Sequence, residues 1–146
     1  MKTIKNYNLT VKESESEFKK VKITSSKDAY QVIKQFYHED VEIYESFFIL
    51  LLNRANETIG FAKISQGGIT GTVVDTKIIA KYCIDTLASG VILAHNHPSG
   101  SLFPSDADNR ITLKIKKALE YIDTKVLDHL ILTKNDYYSF ADNGII

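Results

Sequence analysis

A single cysteine, Cys83, stands among the 146 residues, so an internal disulfide and a cysteine-rich structural zinc site are both excluded. Charge of one sign is missing as well. Eighteen basic residues balance eighteen acidic ones, and no global field draws such a chain onto DNA or an anionic membrane. Long apolar runs are also absent. The longest, Phe47 to Leu52, has six residues, far short of the roughly 20 that cross a bilayer. Met1 to Thr10 carries two lysines but no apolar core or small-residue cleavage site of a secretory signal. The expectation is a soluble, cytoplasmic protein with no membrane association.

What is present suits one ordinary globular domain: 44% apolar and 25% charged residues, without repeats or low-complexity segments. The scarce residue that asks for an explanation is histidine. There are four, His38, His95, His97 and His129, and two of them stand two residues apart.

Residues 1–24 mix Lys, Glu and Ser with scattered apolar positions and have room for one or two edge strands. Ser25 and Ser26 offer N-cap hydroxyls, and Ala29, Val32, Ile33, Phe36 and Tyr37 recur at helical spacing, which predicts a helix over 26–38 with His38 at its exposed end. From Glu45 to Leu52 the chain is apolar at odd and even positions alike after its first two residues. That predicts a strand buried on both faces, opened by a buried glutamate. Residues 53–57 read as a turn and 58–65 as the returning strand of a hairpin, broken at Gln66 to Gly68. A short extended piece follows around Ile69 to Val73, where Gly67 to Thr72 are candidates to line a groove. Asp75 or Thr76 then caps a helix with the buried stripe Ile78, Ile79, Tyr82, Cys83 and Leu87, which makes Cys83 a core residue rather than a nucleophile. Gly90 ends that helix. A short strand, Val91 to Ala94, runs into His95-Asn96-His97-Pro98-Ser99-Gly100, and a helix with the stripe Ile111, Ile115, Ala118, Leu119 and Ile122 runs from Ser105 to about Tyr121. Strands at 126–132 and 137–140 close the chain. The order predicts an α/β fold, a mixed sheet flanked by helices.

Side chains alternate along extended backbone, so His95 and His97 share one side while Asn96 points away, and two such imidazoles can hold one metal ion. Asp108, in the first turn of the helix that begins at Ser105, can fold back as a third ligand. Two imidazoles and a carboxylate suit Zn(II), with a water completing a catalytic site. Glu45 is then the carboxylate that takes the water's proton and returns it to a leaving amine, with Ser105 steadying the oxyanion. Each part also has a plainer explanation. Ser105 to Asp108 is a capping box, Glu45 can answer Lys63 or Arg54, Glu42 can stand in for Glu45, and paired histidines can be solvated. His129, on the alternating strand Leu127 to Leu132, can orient a ligand or bond within the core, and the structural role is favoured.

Taken jointly, His95-x-His97, seven residues, Ser105, two residues, Asp108, with Glu45 upstream, resembles the JAMM metal signature of JAB/MPN metalloprotease domains. HNHPSG, PSDAD, Thr112, Leu127-Asp128-His129 and Tyr138-Ser139-Phe140 resemble the bacterial RadC-like branch more closely. The resemblance covers about residues 40–146, which divides the chain into an amino-terminal extension, 1–39, and a RadC-like JAB/MPN domain, 40–146. It implies a cytidine-deaminase-like mixed sheet, zinc held by His95, His97 and Asp108, and cleavage of peptide, isopeptide or other amide bonds, so that the partner is a protein or peptide substrate. Eukaryotic deubiquitinating relatives carry Ser or Thr where Asn96 stands, which speaks against a ubiquitin-type substrate. Two other roles follow from the same resemblance: an accessory in DNA repair or anti-restriction, and a non-catalytic scaffold. Longer RadC-like proteins carry an amino-terminal region resembling a helix-hairpin-helix DNA-binding module, whereas about forty residues precede the domain here. Nucleic acid is thus suggested by the family name and not by charge. Scaffold members usually lose ligands, and here every signature position is filled.

Overall fold

Ser46 is followed by six apolar residues, a sequence that satisfies the sheet only where both faces are covered. In the computed structural model, which describes residues 2–8, 10–67 and 73–146, that segment is β1 (Ser46–Leu52), and all seven of its residues are buried. It lies inside a five-stranded sheet of order β2-β1-β3-β4-β5, with β2 at Thr58–Gln66, β3 at Gly90–Asn96, β4 at Lys125–Leu132 and β5 at Tyr137–Ser139. β1 pairs antiparallel with β2 and β3, β3 runs parallel to β4, and β5 returns antiparallel to β4. The sheet is mixed, as the element order predicts.

The two-sided burial of β1 divides the core by parity. Phe48, Leu50 and Leu52 join Ile92, Ala94, Leu130 and Leu132 beneath α1 (Ser26–Ile33) and the 3₁₀ turn Lys34–Phe36. Phe47, Ile49 and Leu51 join Val91, Leu93 and Val126 on the other face, under α2 (Thr76–Thr86) and α3 (Asp106–Glu120). Helix α1 therefore supplies Ala29, Val32 and Ile33 to the same core that the strands build. Among the described residues no helix is long and apolar enough to cross a membrane.

Several expectations are corrected. Among the described residues before 25 there is no strand; Lys22 forms one isolated bridge to Glu57, and Phe18 anchors the segment by packing on Phe36 and Phe61. The helix predicted over 26–38 stops at Ile33 and tightens into the 3₁₀ turn. Tyr37 is already extended, φ −94° and ψ 131°, its ring edge-on to Phe48 and its hydroxyl donating to the Ser46 carbonyl at 2.9 Å. Aromatic anchoring ends this helix, and His38 lies exposed beyond it. α2 is capped by Asp75, which accepts from Lys77 N–H at 2.8 Å. It ends at Thr86 rather than at Gly90, through Leu87 in the left-handed region at φ 54°, a conformation that costs a non-glycine residue about 1–2 kcal/mol. Leu87 and Ile78 are exposed, not part of the buried stripe. Gly90 instead opens β3, where a Cβ would meet Leu127 Cδ1 at 3.0 Å. Cys83 is buried, and burial pushes its thiol up to about 11, as suits a core residue. The extended piece around Ile69 to Val73 and the groove role for Gly67 to Thr72 fall largely outside the described residues.

Candidate metal centre

β3 ends where α3 begins to face it. The register sets Phe47 opposite His95 and places His95 on the α2/α3 side of the sheet. Asn96 faces the other way, and His97 follows as the chain leaves the sheet with its N–H held by the Leu132 carbonyl at 2.9 Å. Pro98 and Gly100 turn the loop, Gly100 at φ 86°, where a Cβ would be strained. The loop closes on Ser105, the N-cap of α3. Ser105 Oγ accepts from Asp108 N–H at 3.1 Å and the Asp108 carboxylate accepts from Ser105 N–H at 2.9 Å, so the capping box forms.

The cap does not use up Asp108; it aims it. Asp108 Oδ1 lies 3.3 Å from His95 Nε2 and Oδ2 lies 3.1 Å from His97 Nε2, while the two Nε2 atoms are 3.0 Å apart. Donors about 2.0–2.1 Å from a tetrahedral zinc stand about 3.3 Å from one another, so the spacing of this set fits the ion within a few tenths of an ångström. His97 Nδ1 sits 2.8 Å from the Ser101 carbonyl, which can only accept. The neutral ring therefore carries its proton on Nδ1 and turns a bare nitrogen inward. Burial by itself lowers the affinity of His97 for a proton, but the Asp108 carboxylate and the Ser101 carbonyl outweigh it and raise its pKa. Burial likewise works against the charge on Asp108, yet when protons rather than a metal sit on the inward nitrogens, hydrogen bonds from His95 and His97 join that of the Ser105 N–H in holding its carboxyl far below the usual range.

Glu45 is half-buried and immediately precedes β1, one residue short of the strand position expected of it. Its carboxylate and the donor nitrogens of His95 and His97 all lie within 4.8 Å of one another. Glu45 is thus the carboxylate beside the two histidines, whereas Glu42 reaches outward to Lys134 at 3.5 Å. Lys63 donates to Gln66 and lies 5.8 Å above the Phe48 ring. Ser105 is exposed, and the cap uses a lone pair of its hydroxyl, which leaves the hydrogen to donate. The side chain of His95 is 3% exposed, against 13% for His97 and 16% for Asp108, so the centre opens past His97 and Asp108.

Two positioning residues have roles that spacing does not reveal. Asn96 is fully buried and bonded at three points: its amide donates to the carbonyls of Val41 at 2.6 Å and Tyr44 at 2.8 Å, and its oxygen accepts from Ser46 N–H at 2.8 Å. The residue between the two histidines thus holds the segment that carries Glu45. Asn96→Ala is expected to cost about 2–3 kcal/mol in urea unfolding, because buried partners lose their bonds; a loss under about 0.5 kcal/mol would contradict this staple. His129, wholly buried, is in the core as expected, but its Nε2 also lies 2.7 Å from His95 Nδ1, and its Nδ1 lies 2.6 Å from Thr112 Oγ1. Burial holds its pKa well below the usual histidine range. Thr112 stands one helical turn after Asp108, and that i, i+4 spacing is the signal from which its part can be read.

A mixed sheet with helices on both faces, a strand that ends in two same-sided histidines and an aspartate in the first turn of the next helix together define a JAB/MPN-type domain. Within that class the chain belongs to the RadC-like JAB domain family, whose match spans residues 23–145. It is 51% identical over 124 residues to a UPF0758 protein of Flavobacterium johnsoniae, a match covering 85% of this chain and 53% of that one. It is 38% identical over 125 residues to a UPF0758 protein of Porphyromonas gingivalis, covering 85% and 54%. UPF0758 protein YfjY of Escherichia coli is 41% identical over 102 residues, covering 70% and 64%. The chain spans about half the length of most of the curated relatives it matches.

Proposed function

We propose that the protein is a zinc-dependent hydrolase of peptide, isopeptide or other amide bonds, with His95, His97 and Asp108 as the metal ligands. The observation that carries this reading is the meeting of His95 Nε2, His97 Nε2 and both Asp108 oxygens at 3.0–3.3 Å, with the Glu45 carboxylate beside them. When bound there, zinc would lower the pKa of a water and polarise a carbonyl oxygen. Glu45 takes the proton of the attacking water on its carboxylate and returns it to the leaving nitrogen, so one group serves as base and then acid. Ser105 donates its free hydroxyl hydrogen to the oxygen that gains charge. Asn96 keeps the Glu45 segment at the end of β3, and the Ser101 carbonyl keeps His97 turned inward. A complete ligand set together with a neighbouring carboxylate favours an enzyme over a scaffold.

Elemental analysis of the purified protein is expected to find about one zinc per chain, held by three protein ligands with the fourth position open. Stripping it with a chelator is expected to lower the thermal midpoint and abolish amide hydrolysis, and restoring zinc to recover both, because a ligand that binds only the folded state stabilises it. A protein that takes up no metal from zinc-supplemented buffer would sink the proposal.

A further inference from the structure

We infer that Thr112 and His129 form a positioning relay that fixes the proton of His95 on Nδ1 and so turns a bare Nε2 toward the metal; this rests on the metal-centre reading above. The Thr112 hydroxyl has one hydrogen and two neighbours, the Asp108 carbonyl oxygen at 2.6 Å and His129 Nδ1 at 2.6 Å. A carbonyl oxygen can only accept. The hydroxyl hydrogen therefore goes to Asp108, and Thr112 Oγ1 accepts the N–H of His129 Nδ1.

His129 has no exposed surface. Its ring stacks on Phe140 at 4.7 Å between centroids and meets Phe47 edge-on at 5.5 Å, an apolar enclosure that holds it as a neutral imidazole with one ring proton. With that proton on Nδ1, His129 Nε2 is an acceptor 2.7 Å from His95 Nδ1, and His95 must supply the hydrogen. His95 Nε2 is then unprotonated where it faces His97 and Asp108. The opposite polarity, hydroxyl to His129 and His129 to His95, would thrust an N–H into the middle of the donor set and block a cation.

The two histidines are thus set by different means. His97 leans on a backbone carbonyl, while His95 leans on a side chain whose own tautomer is set by a third. The relay also ends on the residue that supplies the carboxylate, so a single turn of α3 both provides Asp108 and decides which nitrogen of His95 is free.

The test uses zinc alone as the probe, with apparent affinity read by competition against a chromophoric chelator on the purified chain. Thr112→Val keeps the shape and removes the hydroxyl, and is expected to weaken zinc binding about 10–100-fold, as loss of an outer hydrogen bond to a ligand histidine does; Thr112→Ser is expected to restore most of it. A threonine with a merely structural role would lower the melting temperature of the metal-free protein and leave zinc affinity where it was. Wild type that binds zinc tightly alongside a folded Thr112→Val that binds it equally overturns the relay and leaves the metal centre standing. Wild type that binds no zinc overturns both. If Thr112→Val does not fold, nitrogen-15 NMR of the zinc-loaded wild type decides: His129 protonated on Nδ1 and bare on Nε2 is expected, and the reverse tautomer overturns the relay.

Discussion

Glu45→Gln is expected to lower the hydrolysis rate by about 10²–10⁴-fold while leaving zinc at its wild-type content, the range general acid–base catalysis commands. The substitution changes almost nothing but proton affinity. Glutamine keeps the length and polarity of the side chain beside His95 and His97, but its amide neither takes a proton from water at neutral pH nor hands one to a departing nitrogen. The proposed ligand atoms, which meet at 3.0–3.3 Å, belong to three other residues, so metal retention separates loss of the base from loss of the site. The measurement is single-turnover cleavage of any peptide or isopeptide that the wild type processes, paired with elemental analysis of the same samples. A variant that cleaves at the wild-type rate would remove Glu45 from the chemistry.

Asp108→Ala is expected to act twice. It removes the sole carboxylate among the three proposed ligands, and zinc affinity should fall by well over the roughly 100-fold that losing a hydrogen bond to a ligand can cause. It also removes half of the capping box, because the carboxylate accepts from Ser105 N–H at 2.9 Å, and the metal-free protein should lose about 1 kcal/mol of stability. Asp108→Asn separates the two effects, since an amide oxygen can still accept at the cap while the negative charge is gone. Chelator competition and urea unfolding read the two consequences independently. Zinc affinity unchanged in both variants would strike Asp108 from the ligand set.

The geometry of the candidate site was legible in the sequence for a physical reason. His95 and His97 are placed by alternation along extended backbone, and Asp108 by a capping box; both are local rules that the chain obeys within one strand and one turn. The two-sided burial of β1 was equally plain in its apolar run. What spacing could not show is what distant segments do to one another. Alternation shows that Asn96 points away from the two histidines, but not that the carbonyls of Val41 and Tyr44 wait at its amide. His129 looked like a core residue, and it is one, but its contact with His95 depends on the parallel register of β3 and β4. α1 stopped early because Tyr37 is drawn to Ser46, a tertiary pull that helical periodicity does not contain. Leu87 fits the helical period of the buried stripe, yet it sits just past the helix end, in left-handed backbone.

The way the centre is divided along the chain bears on the order in which the protein becomes competent. His97 and Asp108 are 11 residues apart, joined by one tight loop, whereas Asn96 and the Ser46 amide that it captures are separated by 50. Closing the longer loop costs more entropy and waits for β1 to zip against β3. The three residues proposed as ligands can therefore come together within a nascent strand–loop–helix unit, and a metal captured there would hold that unit while the remainder of the sheet is still assembling. On the proposed reading, Glu45 joins the centre only when β1 pairs with β3, so a partly folded chain would hold a metal before it could cut.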